Sequence, residues 1–354
     1  MKSQIRIFLS VTGLLCAVVC GLAYADVAEI LGNINAKPPP VRQTLLVENA
    51  KKEGALTFYS GTNSRDLQEI VTAFNKHYPF IRVAFSSLGG PGVLNKILTE
   101  HRAGADRADV VATTGTYLVD LIDKQMLAKY RSPMVPFLRN GFVDAEGFWP
   151  GVDTRGYAVI YNTKRVNPKE APRRYEDLLA PRWKRNMMMD IEAYILFAGL
   201  VDLWGQEKAV DLFRKLAVDQ EVLFSRQSHA FMTQLIATGE RDLIVDGYVH
   251  NAVAMKEKGA PVDYVLFNPT ILMPPNIIGI MSSSAKPHAA ALFVDYNLSK
   301  EASEIMVKNQ GRWAPRKDVP WTVEPQTELH VVSALDWGRK LKQLVDLFKK
   351  TVEH

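Results

Sequence analysis

The stretch ALTFYSGTNSRDLQEIVTAF, residues 55–74, decides the fold class. Leu56–Tyr59 is a short run rich in β-forming residues, and Ser60-Gly61-Thr62-Asn63 closes it with small polar groups. Leu67, Ile70, Val71 and Phe74 then recur at i, i+3, i+4 and i+7, the apolar stripe of an amphipathic helix. Strand, polar turn and helix therefore follow within twenty residues. The unit recurs outward from there. Pro79 ends the helix and Ile81–Phe85 alternates as a second strand. Gly89-Gly90-Pro91-Gly92 reads as a turn before a helical Val93–His101, and Asp109–Ala112 opens through Thr113-Thr114-Gly115 into a helix carrying Leu118, Leu121 and Ile122. Gly156–Tyr161, Met187–Met189, Val222–Phe224 and Leu243–Val245 continue the strand series, with helical patterns between them and a last stripe at Leu341, Leu344, Val345 and Phe348. Strands alternating with helices predict an α/β protein whose mostly parallel sheets are covered on both faces.

The chain has 354 residues, 47% hydrophobic and 23% charged, enough for two cored domains and unlike a disordered or multi-span membrane chain. A net charge of +5 without a Lys/Arg run of five or more argues against nucleic acid as a partner. Lys2 and Arg6 precede an uncharged stretch from Ile7 to Ala25 that ends in Ala23-Tyr24-Ala25, the pattern of a secretory signal peptide cleaved after Ala25. An uncleaved anchor is the competing reading, because the uncharged stretch approaches the length of a span. Cleavage removes Lys2, Arg6 and both cysteines, Cys16 and Cys20, so the charge falls from +5 to +3 and the exported chain has no thiol. That excludes disulfides, thiolate metal sites and cysteine nucleophiles, and predicts a protein held by packing alone. Residues 26–52, with Pro38-Pro39-Pro40, read as an extension and stiff linker.

Four strand ends carry small polar residues just before a helix: Ser60–Asn63, Thr113–Thr116, Asp190–Ala193 and Ser225–Ser228. Ligands of open α/β sheets bind at strand carboxyl ends, against unpaired N–H groups of helix N-termini. The same residue types also serve simply as N-caps. No H-E-x-x-H, G-x-S-x-G, P-loop or G-x-G-x-x-G occurs, and the seven histidines form no pair at metal-ligand spacing beside a carboxylate. Ser283-Ser284-Ala285-Lys286 fits S-x-x-K by letters but lacks its companion motifs. An enzyme is not expected.

Seven segments in order resemble the periplasmic solute-binding proteins of ABC importers, in the branch that includes ferric-iron-binding proteins: EGALTFYSGTN (53–63), ADVVATTG (108–115), GYAVIYNTKRV (156–166), YEDLLAPRWKRNMMMD (175–190), GERDLIVDGY (239–248), AALFVDYNLSKEASEIM (290–306) and GRWAPRKDV (311–319). The resemblance implies a two-lobed type 2 periplasmic binding fold, its lobes joined by crossing hinge strands. Residues 53–154 plus 275–325 would form lobe 1, and 155–274 plus 326–354 lobe 2, with hinges near 153–156 and 270–275. It implies a monomer without a cofactor, working in the periplasm and passing a small molecule to an inner-membrane permease. A ligand-sensing role beside a receptor kinase uses the same fold.

Iron-binding members carry a histidine after the first strand, a glutamate after the third and a tyrosine pair near DGYVH. The matching positions here are Asn63, Thr114 and Gly247-Tyr248, so only Tyr248 remains, with His250 two residues beyond it. Asn and Thr are poor donors for ferric iron, which wants anionic oxygens, and iron becomes the alternative cargo. The implied contacts are Ser60, Thr62, Asn63, Thr113 and Thr114 as neutral donors, Glu192, Arg226 and Gln227 near the anion position, and Tyr248 as a stacking face. Together they suit an organic anion such as a carboxylate or phosphonate, with room for an amine or hydroxyls. Plainer roles stand beside these: Glu192 as a helix-dipole partner, Arg226 as a surface pair to Glu221 or Asp219, Tyr248, Trp183 and Met187–Met189 as core, and Asn276 in a segment returning between lobes.

Overall fold

The computed structural model describes residues 27–321 and 326–353; the signal-peptide reading of residues 1–25 lies outside them. Apolar faces at helical spacing begin at once. α1 (Val27–Asn35) and α2 (Pro39–Glu53) lead into β1 (Ala55–Ser60), α3 (Ser64–His77), β2 (Arg82–Ser87), α4 (Gly90–Arg102), β3 (Val110–Thr114), α5 (Gly115–Asp123), β4 (Leu127–Ala128) and β5 (Gly151–Asp153). The chain then crosses to β6 (Tyr157–Asn162), β7 (Met187–Asp190), α6 (Tyr194–Trp204), α7 (Gln206–Val218), β8 (Leu223–Ser225), α8 (His229–Thr238), β9 (Leu243–Tyr248), α9 (Val249–Glu257) and β10 (Val262–Val265). It returns through β11 (Thr270–Leu272) to β12 (Asn276–Met281), α10 (Pro287–Asn297) and α11 (Lys300–Gln310), and ends with β13 (Leu329–Val331), α12 (Ala334–Arg339) and α13 (Leu341–Val352).

Two mixed sheets result. The first runs β2-β1-β3-β12-β4, with β5 also paired to β12, and the second runs β10-β6-β9-β7-β8. Parallel pairs form β2-β1-β3 and β9-β7-β8, where helices cross over, while β12 and β6, which leave the crossings, pair antiparallel. Phe58, Phe74 and Phe293 meet edge to face in the first core, and Phe197, Phe213 and Phe348 in the second. Met187, Met188 and Met189 are fully buried in β7, and Trp183 is buried beneath the second sheet. Stacked apolar layers of this kind supply most of the stability of the described residues, which include no cysteine.

Three sequence expectations are corrected. The N-terminal segment forms two helices, residues 27–35 and 39–53, rather than an extended linker: Pro39 opens α2, where a helix needs no N–H. Leu31, Leu46 and Ala50 are fully buried, and Arg42 holds Asp295 of α10 at 2.8 Å. Gly90-Pro91-Gly92 is the first turn of α4, with Gly89 at φ 67° before it. The strand read at Leu243–Val245 runs on through Asp246-Gly247-Tyr248 to complete β9, because Ala158 and Tyr157 of β6 pair with Gly247 and Tyr248.

The segments between the sheets lie side by side. Met273 N–H donates to Arg155 O at 2.9 Å, Thr154 Oγ1 donates to Met273 O at 2.7 Å, and Gly156 bridges Leu272. Thr154 also exchanges both backbone bonds with Trp313, at 2.9 and 3.1 Å. After β13 pairs with β11, α12 packs on α5 and α13 on α6 and α7, so the C-terminal segment touches both lobes. A Cβ on Gly156 would stand 2.4 and 2.5 Å from two ring carbons of Trp313, which is itself stacked on Trp321 at 4.6 Å. The ring cannot retreat. Gly156→Ala is expected to cost about 1–3 kcal/mol by overpacking, read by urea denaturation; a loss below about 0.5 kcal/mol would contradict the packing.

Candidate functional site

Between the sheets lies a cavity of about 160 Å³, lined by Thr114, Thr116 and Tyr117 from the first lobe, Tyr157, Asp190, Glu192, Ala193, Tyr194, Ile195, His229, Asp246 and Tyr248 from the second, and Met273 from a crossing segment. The two walls meet directly, with the Tyr117 and Tyr194 hydroxyls 3.4 Å apart. Of the residues read from the sequence, Thr114, Glu192 and Tyr248 line this space.

The others are placed elsewhere. Ser60 is buried, its Oγ accepting the Thr62 N–H at 3.1 Å, and Thr62 O accepts from Ser87 Oγ at 2.7 Å. Asn63 caps α3, its Oδ1 accepting the Asp66 N–H at 3.0 Å. Thr113 is buried beneath Gly61 and Gly90, and the Tyr117 ring fills the rest of that space. Arg226 and Gln227 are exposed in the turn between β8 and α8 and outside the cavity lining. Arg226 does not pair with Glu221, whose carboxylate is held by Arg185 at 2.6 Å and Lys184 at 3.1 Å. Ser228 caps α8, accepting from Phe231 N–H. The capping role thus takes two of the four polar strand ends. At the other two, α5 and α6, no side chain caps the helix, and these first turns are the ones facing the cavity. Thr114 Oγ1 donates instead to Asn276 Oδ1 at 3.1 Å, and Asn276 Nδ2 donates to Asp153 Oδ1 at 2.8 Å, so Asn276 serves the first sheet.

The second-lobe wall is acidic and aromatic. His229 lies between two carboxylates, its Nε2 3.3 Å from Asp246 Oδ2 and its Nδ1 3.5 Å from Asp190 Oδ2. Burial opposes a charge on His229, but Asp246 and then Asp190 outweigh it and raise its pKa. Burial likewise raises the pKa of Asp190, and the Asp246 carboxylate adds to this, against the Glu192 N–H, which donates to Asp190 Oδ1 at 2.9 Å. Tyr248 is stacked with His229 at 4.1 Å and with His250 at 5.6 Å, and Tyr157 is tilted against it at 5.4 Å. Burial pushes the Tyr157, Tyr194 and Tyr248 phenols far above their usual pKa, so all three are neutral donors.

One cation stands beside this wall. The Arg155 guanidinium carbon lies 6.0 Å from the centre of the Tyr248 ring. No hydrogen bond from its side chain is formed to any described residue, and burial together with Arg312 lowers its pKa. Arg155 went unread in the sequence because a lone arginine in a DTRGY string carries no periodicity. Asp190 and Asp246 offered a signal, since MMMD and LIVD are both buried runs ending in aspartate.

Two sheet-based lobes, three passages between them and a polar cavity at the seam define a two-lobed solute-binding fold. Residues 105–342 match the family of bacterial extracellular solute-binding proteins, and the chain belongs to that family. An uncharacterised protein of Haemophilus influenzae is 26% identical over 280 residues, covering 73% of this chain and 77% of its own. Among solved structures, iron-bound HitA of Pseudomonas aeruginosa superimposes with TM-score 0.73 at 21% identity, over 84% of this chain and 99% of that one. The periplasmic binding protein AfuA of Actinobacillus pleuropneumoniae, with fructose-6-phosphate bound, gives 0.71 at 22%, over 85% and 99%. These likenesses confirm the type 2 periplasmic binding fold. No helix among the described residues is long and apolar enough to cross a membrane.

Proposed function

We propose that this protein is the periplasmic substrate-binding component of an ABC importer, exported by cleavage after Ala25 and working as a monomer. It captures a small organic anion between its lobes without altering it and delivers it to an inner-membrane permease. The observation that carries the anion is Arg155, a guanidinium beside the Tyr248 wall of the cavity without a hydrogen-bond acceptor among the described residues. It takes the role the sequence reading gave to Arg226. The uncapped first turn of α5 adds N–H donors on the facing wall. A ligand touching both walls favours the closed state by its differential affinity for it, and closure excludes water and strengthens each polar contact.

Ferric iron is the less supported cargo. At the positions where iron-binding members carry histidine and glutamate, Asn63 is spent on the α3 cap and Thr114 on Asn276, and a hard cation wants anionic oxygens there. Arg155→Ala is expected to weaken a carboxylate or phosphonate ligand by about 1.5–3 kcal/mol, the loss of a charged hydrogen bond. Calorimetry on the mature protein checks this. Unchanged anion affinity in the variant would remove Arg155 from the site, and tight iron binding with no organic-anion binding would overturn the reading.

A further inference from the structure

The two walls of the cavity differ in charge, the first-lobe lining neutral and the second-lobe lining acidic, and the difference specifies the solute further. The first-lobe wall offers Thr114, Thr116 and the first turn of α5, which no side chain caps although its Gly115 N–H donates to Pro275 O at 3.0 Å; Arg155 lies outside the lining, over Tyr248. The second-lobe wall offers Asp190, Glu192 and Asp246, with His229 as the single ionisable base and no lysine or arginine among the described lining residues. A protonated His229 and the nearby Arg155 compensate two of those three carboxylates at most. Asp190 Oδ1 is taken by the Glu192 N–H, but among the described residues Oδ2 has only the long 3.5 Å contact to His229. That oxygen is short of a donor at the cavity wall. A purely anionic solute would place its negative charge opposite this surplus and leave Asp190 unsatisfied.

We infer that the solute is zwitterionic, with an ammonium group on the Asp190–Asp246 wall and a carboxylate or phosphonate toward Arg155 and α5. The inference rests on the solute-capture reading above. Tyr157, Tyr194 and Tyr248 flank the ammonium pole, and ring faces attract such cations while neutral hydroxyls hydrogen-bond the chain between the poles. A cavity of about 150 Å³ accommodates a benzene-sized molecule, so about 160 Å³ suits a solute of six to eight non-hydrogen atoms.

The test compares molecules of one skeleton by thermal shift and calorimetry on the mature protein: 4-aminobutanoate, butanoate and butan-1-amine, with amino-carboxylates and amino-phosphonates of two to five carbons as the wider set. At least one zwitterion is expected to bind tenfold or more tightly than its amine-free analogue, and Asp190→Asn to erase that preference. Glu192→Gln, on the exposed part of the same wall, is expected to reduce the preference and serves if the first variant does not fold. Amine-free anions binding as tightly as every zwitterion, or a preference that survives both substitutions, overturns the zwitterion and leaves anion capture standing. Butan-1-amine binding as tightly as any zwitterion overturns both the zwitterion and the anionic cargo, leaving capture of a cation. No stabilisation by any member of the set overturns the zwitterion and the capture of small organic anions together.

Discussion

Arg312→Ala is expected to cost about 3–5 kcal/mol of folding stability, the usual result of removing one partner from a buried charge network. Arg312 is 6% exposed and holds Asp153 Oδ1 at 3.1 Å and Asp66 Oδ2 at 3.0 Å. Its neighbour Trp313 is the residue that exchanges backbone bonds with Thr154. The guanidinium therefore ties α3, the end of β5 and the crossing segment into one unit. Truncation leaves Asp153, itself 3% exposed, with Asn276 as its remaining side-chain donor, and a buried carboxylate with so little compensation is costly. Such a loss is a large share of the 5–15 kcal/mol typical of a domain, roughly. Urea denaturation measures it directly. Arg312→Met combined with Asp153→Asn is expected to recover part of the loss, because a neutral amide tolerates burial better than an unpaired carboxylate. A loss below about 1 kcal/mol for the alanine variant would mean that the triad contributes no more than a surface pair.

The architecture was legible because hydrophobic period survives burial unchanged. The stripe Leu67, Ile70, Val71, Phe74 is buried as a face of α3, and the alternation of strands and helices is preserved through β10. The linker reading failed because a proline triplet has the same letters whether it extends a chain or opens a helix. Only the burial of Leu46 and Ala50 against the first lobe decides between them. The site was legible in part for a related reason. Ser, Thr, Asn and Asp at strand ends cap helices or face a ligand, and the choice depends on whether another bond already takes the side chain. Asn63 and Ser228 became caps, whereas Thr114 bonded to Asn276 and left α5 open. The His229 cluster could not be found from spacing, since Asp190 and Asp246 meet across 56 residues and only the parallel pairing of β7 with β9 brings them together. Tyr117, Tyr157 and Tyr194 resemble core aromatics in any periodic reading, and they are largely buried here too.

Acid lability centred on His250 is the other large expected effect. Burial first, then the charges of Arg155, Arg312 and His229, lower its pKa from 6.5 to about 3, and its ring is stacked on Tyr248 at 5.6 Å. A histidine held neutral in the fold but free to protonate when unfolded favours unfolding as pH drops. Its contribution is complete above the unfolded value of 6.5 and declines progressively from there toward about 3. Between pH 7 and pH 4 the loss amounts to about 3 kcal/mol at 1.36 kcal/mol per unit. His229 and Asp190 work the other way, since both have raised values and bind protons more readily in the fold. The raw pH profile therefore mixes opposing slopes. Subtracting the profile of His250→Gln, which carries no titrating group at that position, isolates the term. The stability difference between the native chain and this variant is expected to move by about 3 kcal/mol against the native chain from pH 7 to pH 4. A difference constant to within about 0.5 kcal/mol would mean that water reaches the ring and that Arg155 and Arg312 are screened from it. The same subtraction tests the ligand pocket indirectly: a solute anion settling on Arg155 removes one of the charges that depress His250, so a saturating ligand is expected to shrink the acid penalty.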